Sequence, residues 1–166
     1  LDEIHKTISA YPSRIELVAT ADQAVHADKA GLRFAFISIE NSYPLGEDLS
    51  LLQQFYDGGV RKAGPVHSKD NQFADSATGQ ATWKGLSPLG KQWVAEMNRL
   101  GMVIDGSHSS DATFDQLLEL SKTPVILSHS GPKAMWGHNR NIDDDRIRKL
   151  AAKGGAVCMN SVFLTK

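Results

Sequence analysis

Residues 101–130 read GMVIDGSHSSDATFDQLLELSKTPVILSHS. Two apolar runs in this stretch, Met102-Val103-Ile104 and Pro124-Val125-Ile126-Leu127, have the length and branched side chains of buried strands. Between them, Ser110 or Asp111 caps a segment whose Phe114, Leu117 and Leu118 recur at helical spacing. Each strand runs into a polar tip: Asp105-Gly106-Ser107-His108 after the first, Ser128-His129 after the second. One β-α unit therefore separates two histidines at equivalent places, the C-terminal ends of consecutive strands.

The same unit recurs on both sides. Strands are expected at 15–19, from Phe34 to Ile39, from Val60 to His67 and at 156–159. Helices are expected over 21–30, along the face formed by Leu49, Leu52, Phe55 and Tyr56, from Ser87-Pro88 to Gly101, and over 143–153. The 88–100 helix carries a buried stripe of Leu89, Trp93, Met97 and Leu100, and the last helix has acids in its first turn and bases in its last. Strict β-then-α alternation predicts a parallel sheet with helices outside, and strands apolar throughout predict cover on both faces. Two architectures fit: an open doubly wound sheet or a β/α barrel. A complete barrel takes about 250 residues, so about six strands would leave roughly a quarter of it missing.

Composition narrows the function classes. The chain has 166 residues, 41% apolar and 22% charged, with 18 basic against 19 acidic side chains. These values exclude a disordered tail, a collagen-like chain and a coiled coil, and the net charge of −1 gives no basis for nucleic-acid binding. Cys158, a lone cysteine, excludes an internal disulfide and a cysteine-based zinc site, and its strand position reads as core. No apolar run reaches the ~18 residues of a transmembrane span. The opening LDEIHKTISA has neither the basic start nor the apolar centre of a signal peptide.

The residues at the strand ends carry the chemistry. In order they are Glu40, His67, His108, His129 and Asn160. Three histidines and a carboxylate on the face that bears barrel active sites form a metal-site pattern, since imidazole and carboxylate suit zinc and similar divalent ions. His5, His26 and His138 fall in helical or loop positions and read as surface residues. Asp105 reads either as a partner behind a ligand or as a buried acid bonded to backbone amides. The polar stretch from Ser68 to about Gly85 is long for a loop. Its Asn71, Asp75 and Trp83 would shape a lid or wall, or else it is a solvated insertion with Trp83 packed beneath.

Several motifs together carry a family resemblance: Gly85-Leu86-Ser87-Pro88-Leu89-Gly90-Lys91, the run from Met97 to His108, Pro124 to Ser130, and Arg140-Asn141. This string resembles the membrane (renal-type) dipeptidase family of metallopeptidases, most densely from Gly85 to Gly155. The resemblance implies a (β/α)8 TIM-type barrel with two zinc ions at the strand C-termini, of which this chain covers about six β-α units. It implies that Glu40 bridges both metals, that His108 and His129 are the imidazole ligands of one, that His67 contacts the substrate carbonyl or tetrahedral intermediate, and that Arg140 holds the terminal carboxylate. The implied reaction is hydrolysis of dipeptides with a free C-terminal carboxylate by a metal-bridging hydroxide. Homodimers are common in the family.

The sequence departs from the family pattern in three places. Glu40 is followed by Asn41-Ser42-Tyr43 instead of Gly-Gly-His. The first-strand His-x-Asp pair that ligates the other metal has no match; His26-Ala27-Asp28 lies in an expected helix and is rejected. The acid at the end of the last strand would fall after Lys166. Residues 1–166 are therefore expected to form a single partial barrel domain lacking the first and last strand regions, with one metal half-site represented. Two other readings stay open: a non-catalytic family member or fragment acting as a structural or binding module, and a hydrolase of β-lactams or other cyclic amides.

Overall fold

The computed structural model describes residues 1–160, and most of its helices start where a side chain can cap them. Helix α1 spans Asp2–Ser9 and has no side-chain cap. Helix α2, Ala21–Lys29, opens with a reciprocal capping box between Thr20 and Gln23. Helix α3 is Leu51–Asp57. Helix α4, Pro88–Leu100, begins with the Ser87 hydroxyl accepting from the Gly90 amide at 2.9 Å and ends at Gly101 in the left-handed region. Helices α5, Asp111–Leu120, and α6, Asp144–Ala152, are capped in the same way by Ser110 and Asp143. α1 was not foreseen: Ile4 and Ile8 share a face, but no capping residue precedes them.

The strands are β1 (Ile15–Leu17), β2 (Arg33–Ala35), β3 (Ile37–Ile39), β4 (Val60–Ala63), β5 (Val103–Ile104), β6 (Ile126–Ser130) and β7 (Ala156–Met159). The single strand expected from Phe34 to Ile39 is broken at Phe36, which gives seven strands among the described residues where about six were expected. The strand expected to reach His67 stops at Ala63, because Gly64-Pro65 follows and proline has no amide to pair. All pairings between strands are parallel: β1 with β2, β3 with β4, β4 with β5, and β6 with β7. A parallel bridge between Asp105 and Ile126 links β5 to β6. Among the described strands the order follows the chain without reversal, unlike a doubly wound sheet, whose order switches direction.

One face of the strand layer is packed against the helices. Val60, Ala63, Ile104 and Leu127 from the strands, with Val125 just before β6, meet Leu52, Trp93, Met97, Phe114, Leu117 and Leu150 from α3 to α6. The other face departs from the expectation of cover on both sides. Strand side chains alternate, so the neighbours of those core residues point away from the helices. Phe34, Phe36 and Val103 are exposed there, and Phe34, Phe36, Lys62, Val103 and Ile126 border an apolar cavity of about 310 Å³. Cys158 is likewise exposed and not core: it alternates with Val157, which takes the helix-packed side.

Gly90 shows how tightly α4 seats on the chain before it. A methyl group there would lie 2.0 Å from the Phe73 carbonyl oxygen, and backbone cannot yield as a side-chain tip can. Gly90→Ala is expected to cost about 1–3 kcal/mol, measured as a lowered urea midpoint at unchanged m-value.

Candidate metal centre

Three strand ends approach closely because position 64 has no side chain. A Cβ on Gly64 would stand 2.8 Å from the Glu40 carbonyl and 3.2 Å from that of Asp105. Glycine thus lets the ends of β3, β4 and β5 converge, and Glu40 leaves β3 at this point. The turn after it is held by Ser42, whose amide and hydroxyl both donate to the Gly64 carbonyl, at 3.1 and 2.9 Å. The Asn41 side chain accepts from the Tyr43 amide and from Asn71. Asn41-Ser42-Tyr43 therefore forms an ordered turn tied to the 68–87 segment.

His108 sits three residues past Asp105 with φ at +72°, a left-handed conformation that a non-glycine residue adopts only when its surroundings fix it. Its carbonyl accepts from the Ala77 amide at 2.7 Å, and the Ser109 amide closes the turn onto Gly106. His129 lies within β6, its amide donating to the Ser107 hydroxyl at 3.1 Å.

These placements bring three atoms together. His108 Nε2 and His129 Nε2 are each 3.1 Å from Glu40 Oε1 and 2.9 Å from each other. Two ring nitrogens at that distance share at most one hydrogen, so the group holds more lone pairs than protons. That donor set suits a divalent ion. Among the described residues, Glu40, His108 and His129 are the group of ligand type whose atoms all lie within 4.8 Å of one another. Burial first, and then the nearby Arg140 charge, pushes the His108 imidazole down to about 4, although Glu40 pulls the other way. His108 is therefore neutral at physiological pH, as a metal ligand must be.

His67 and Arg140 border the triad. The His67 ring stacks on His108 with centroids 3.9 Å apart, and its Nε2 lies 3.5 Å from Glu40 Oε1. Arg140 is buried, and one guanidinium nitrogen donates to the His129 carbonyl at 3.3 Å. Burial lowers its pKa from the ordinary value, while Asp105 and Glu40 favour its charge.

The 68–87 segment is a built wall. Asp70 accepts from the amides of Ser76, Gln80 and Thr82, Asp75 from those of Trp83 and Gly85, and Asn71 from those of Phe73 and Ala74. The Ser76 hydroxyl reaches the His67 carbonyl at 2.5 Å, tying the wall to the site. Trp83 is 43% exposed and donates to the Asn71 carbonyl, so it does not pack beneath the segment.

The comparisons agree with this geometry. The model of the membrane dipeptidase family, peptidase family M19, matches residues 1–165. The chain belongs to this family. Among curated relatives of this chain, an uncharacterized dipeptidase of Schizosaccharomyces pombe is 43% identical over 127 residues, 76% of the chain and 31% of that protein. Dipeptidase 3 of Mus musculus is 38% identical over 162 residues, 95% of the chain and 32% of that protein. Among solved structures, a metallo peptidase from Rhodobacter sphaeroides, liganded with a phosphinate mimic of the dipeptide L-Ala-D-Ala, superposes with a TM-score of 0.91. It is 28% identical, with 98% of the chain and 48% of that structure covered. The chain spans about a third of the length of these two curated relatives.

Two polar residues behind the Glu40, His108 and His129 triad escaped the reading of the sequence. Lys62 Nζ lies 2.6 Å from Asp105 Oδ2, and the Ser128 hydroxyl binds the same oxygen. The available signal was a lysine inside a short apolar strand, in register with the residue two before an aspartate on the next strand. Asp105 fits the reading of a buried acid bonded to backbone amides, since the Ser107 and Ser128 amides both donate to it.

Proposed function

We propose that this chain is part of a zinc-dependent dipeptidase, a hydrolase of dipeptides with a free C-terminal carboxylate. The observation that carries this reading is the convergence of Glu40 Oε1, His108 Nε2 and His129 Nε2. Residues 1–166 form one partial domain of a (β/α)8 barrel, and the sequential parallel strand order supports that reading. Glu40, His108 and His129 would hold one zinc ion, and Glu40 would also be a ligand of a second ion where the complete family site forms. Bound zinc supplies Lewis acidity and a water of lowered pKa.

The chain's own residues do the rest. His67, stacked on His108 at the edge of the triad, is placed to donate to the oxygen of the scissile carbonyl as charge grows there. Arg140 presents a guanidinium fork to the terminal carboxylate of the substrate, which selects dipeptides over internal peptide bonds. The exposed oxygens of Glu40 and the neutral ring of His108 keep the centre ready for a cation.

The experiment is elemental analysis of the purified chain after incubation with excess zinc and desalting. About one zinc per chain is the expected result; a ratio near zero would sink the metal reading and favour a non-catalytic module. Substrate recognition is tested separately, in the polypeptide with its barrel complete. A dipeptide amide should be cleaved roughly ten- to a hundredfold more slowly than the free acid, the worth of a charged hydrogen-bond pair. Arg140→Met should remove most of that difference.

A further inference from the structure

We infer that Lys62, Asp105 and Ser128 are positioning residues that fix the proton of His129 on Nδ1, leaving the Nε2 lone pair directed at the metal centre. The inference rests on the reading of Glu40, His108 and His129 as metal ligands, and it adds to that reading how one ligand is kept in its binding form.

The argument is a count of hydrogens. Ser128 Oγ is bonded on two sides, to Asp105 Oδ2 and to His129 Nδ1 at 2.8 Å. A hydroxyl has one hydrogen, so it donates to one neighbour and accepts from the other. Asp105 decides the direction. It is buried and surrounded by donors: the Lys62 ammonium at 2.6 Å, the Ser107 amide at 3.0 Å and the Ser128 amide at 3.1 Å. An ionised carboxylate beside an ammonium only accepts, so the Ser128 hydrogen points to Asp105. The Ser128 oxygen must then accept from His129 Nδ1–H. A neutral imidazole protonated at Nδ1 carries its lone pair on Nε2. That atom is the one 3.1 Å from Glu40 and 2.9 Å from His108.

The opposite wiring would spoil the centre. If the residue at 105 donated to Ser128, the hydroxyl would turn to His129 Nδ1, and the ring hydrogen would sit on Nε2, between the ligand atoms. Lys62 prevents this by occupying Asp105 as a donor. His108 has no such control: its Nδ1 is buried without a hydrogen-bond partner. Within the triad, orientation by a partner behind the ring therefore enters through His129. The arrangement is a histidine–carboxylate pair with a serine interposed, and outer partners of this kind are worth about 10–100-fold in metal affinity.

The test uses the 166-residue chain and two readouts. Long-range 1H–15N spectra of the metal-free protein, with 15N-labelled histidine, report which nitrogen of His129 is protonated. Zinc affinity is read by competition with a chromophoric chelator. The wild type is expected to show the Nδ1–H form. Asp105→Asn is expected to move the proton to Nε2, because its amide oxygen stays with the Ser107 and Ser128 amides that bind Oδ1 and its NH2 takes the Oδ2 position facing Ser128 Oγ, the wrong-tautomer effect of an Asp-to-Asn change behind a histidine. Ser128→Ala should weaken zinc binding about ten- to a hundredfold, and Ser128→Thr, which keeps the hydroxyl, should retain wild-type affinity. A wild-type His129 protonated on Nε2, or zinc binding by Ser128→Ala as tight as wild type, overturns the relay. If Ser128→Ala fails to fold, the wild-type tautomer decides alone. If the wild type binds no zinc, the ligand reading is what fails, and the tautomer still judges the relay.

Discussion

Replacing Lys62 with methionine is expected to lower the stability of the fold at neutral pH by about 3–5 kcal/mol, the range for breaking one half of a buried ion pair. Lys62 and Asp105 are 8% and 2% exposed and lie 2.6 Å apart. Burial alone would raise the Asp105 carboxyl, but hydrogen bonds from Lys62 and Ser128 hold it down to about 2, against an ordinary 3.8. Methionine fills the volume and leaves the carboxylate buried with its ammonium gone. The effect has a direction in pH. A carboxylate whose folded pKa lies below its unfolded value adds stability that is fully present above about pH 4 and is lost as pH falls toward 2. The shift corresponds to about 2 kcal/mol in the wild type. Denaturant titrations at pH 7 and pH 3 check this: the gap between wild type and Lys62→Met should narrow at the lower pH. A gap that is small at pH 7 or widens in acid would show that the pair does not stabilise the fold. Asp105→Leu added to Lys62→Met should restore part of the loss, because no buried charge then remains, although the Ser107 and Ser128 amides lose their acceptor.

The sequence was most legible where one residue has one physical consequence. Ser87, Ser110 and Asp143 each start a helix because a side-chain oxygen meets an orphan amide, and Gly101 ends one because it takes positive φ. The histidines at 108 and 129 were placed together by counting one β-α unit between strand ends, and their Nε2 atoms are in contact distance. What stayed hidden depends on partners distant in sequence. The break at Phe36 and the open face it belongs to are matters of which strand covers which, and no local pattern encodes that. Lys62 and Asp105 are 43 residues apart. Their pairing becomes visible only when β4 and β5 are set in register. The wall over 68–87 reads as polar and irregular because its order comes from Asp70, Asn71 and Asp75 gathering backbone amides. Those residue types also mark plain loops.

Glu40→Ala is expected to separate function from folding more cleanly than any other change in the site. The Glu40 side chain is 54% exposed, and its carboxylate meets the three imidazoles of His67, His108 and His129. Its removal leaves no buried donor unpaired and no cavity, so thermal stability should move by no more than about 0.5 kcal/mol, as for an ordinary surface substitution. His108→Ala offers no such separation, because that residue is buried at positive φ with its carbonyl holding the 68–87 wall. Zinc retention should nevertheless fall away in Glu40→Ala, since two neutral imidazoles remain with no anion to offset the ion's charge. Hydrolysis by the complete enzyme should drop on the order of a thousandfold, the rate equivalent of several kcal/mol of lost Lewis-acid stabilisation. The measurements are a thermal melt, zinc content after desalting and dipeptide turnover on the same preparation. A melt unchanged with zinc and turnover lost would fit a carboxylate kept for its metal at no structural benefit. If zinc stayed bound at full occupancy, Glu40 would be a neighbour of the site and not a ligand, and the convergence of the three atoms would have to be explained by hydrogen bonding between His108, His129 and the carboxylate alone.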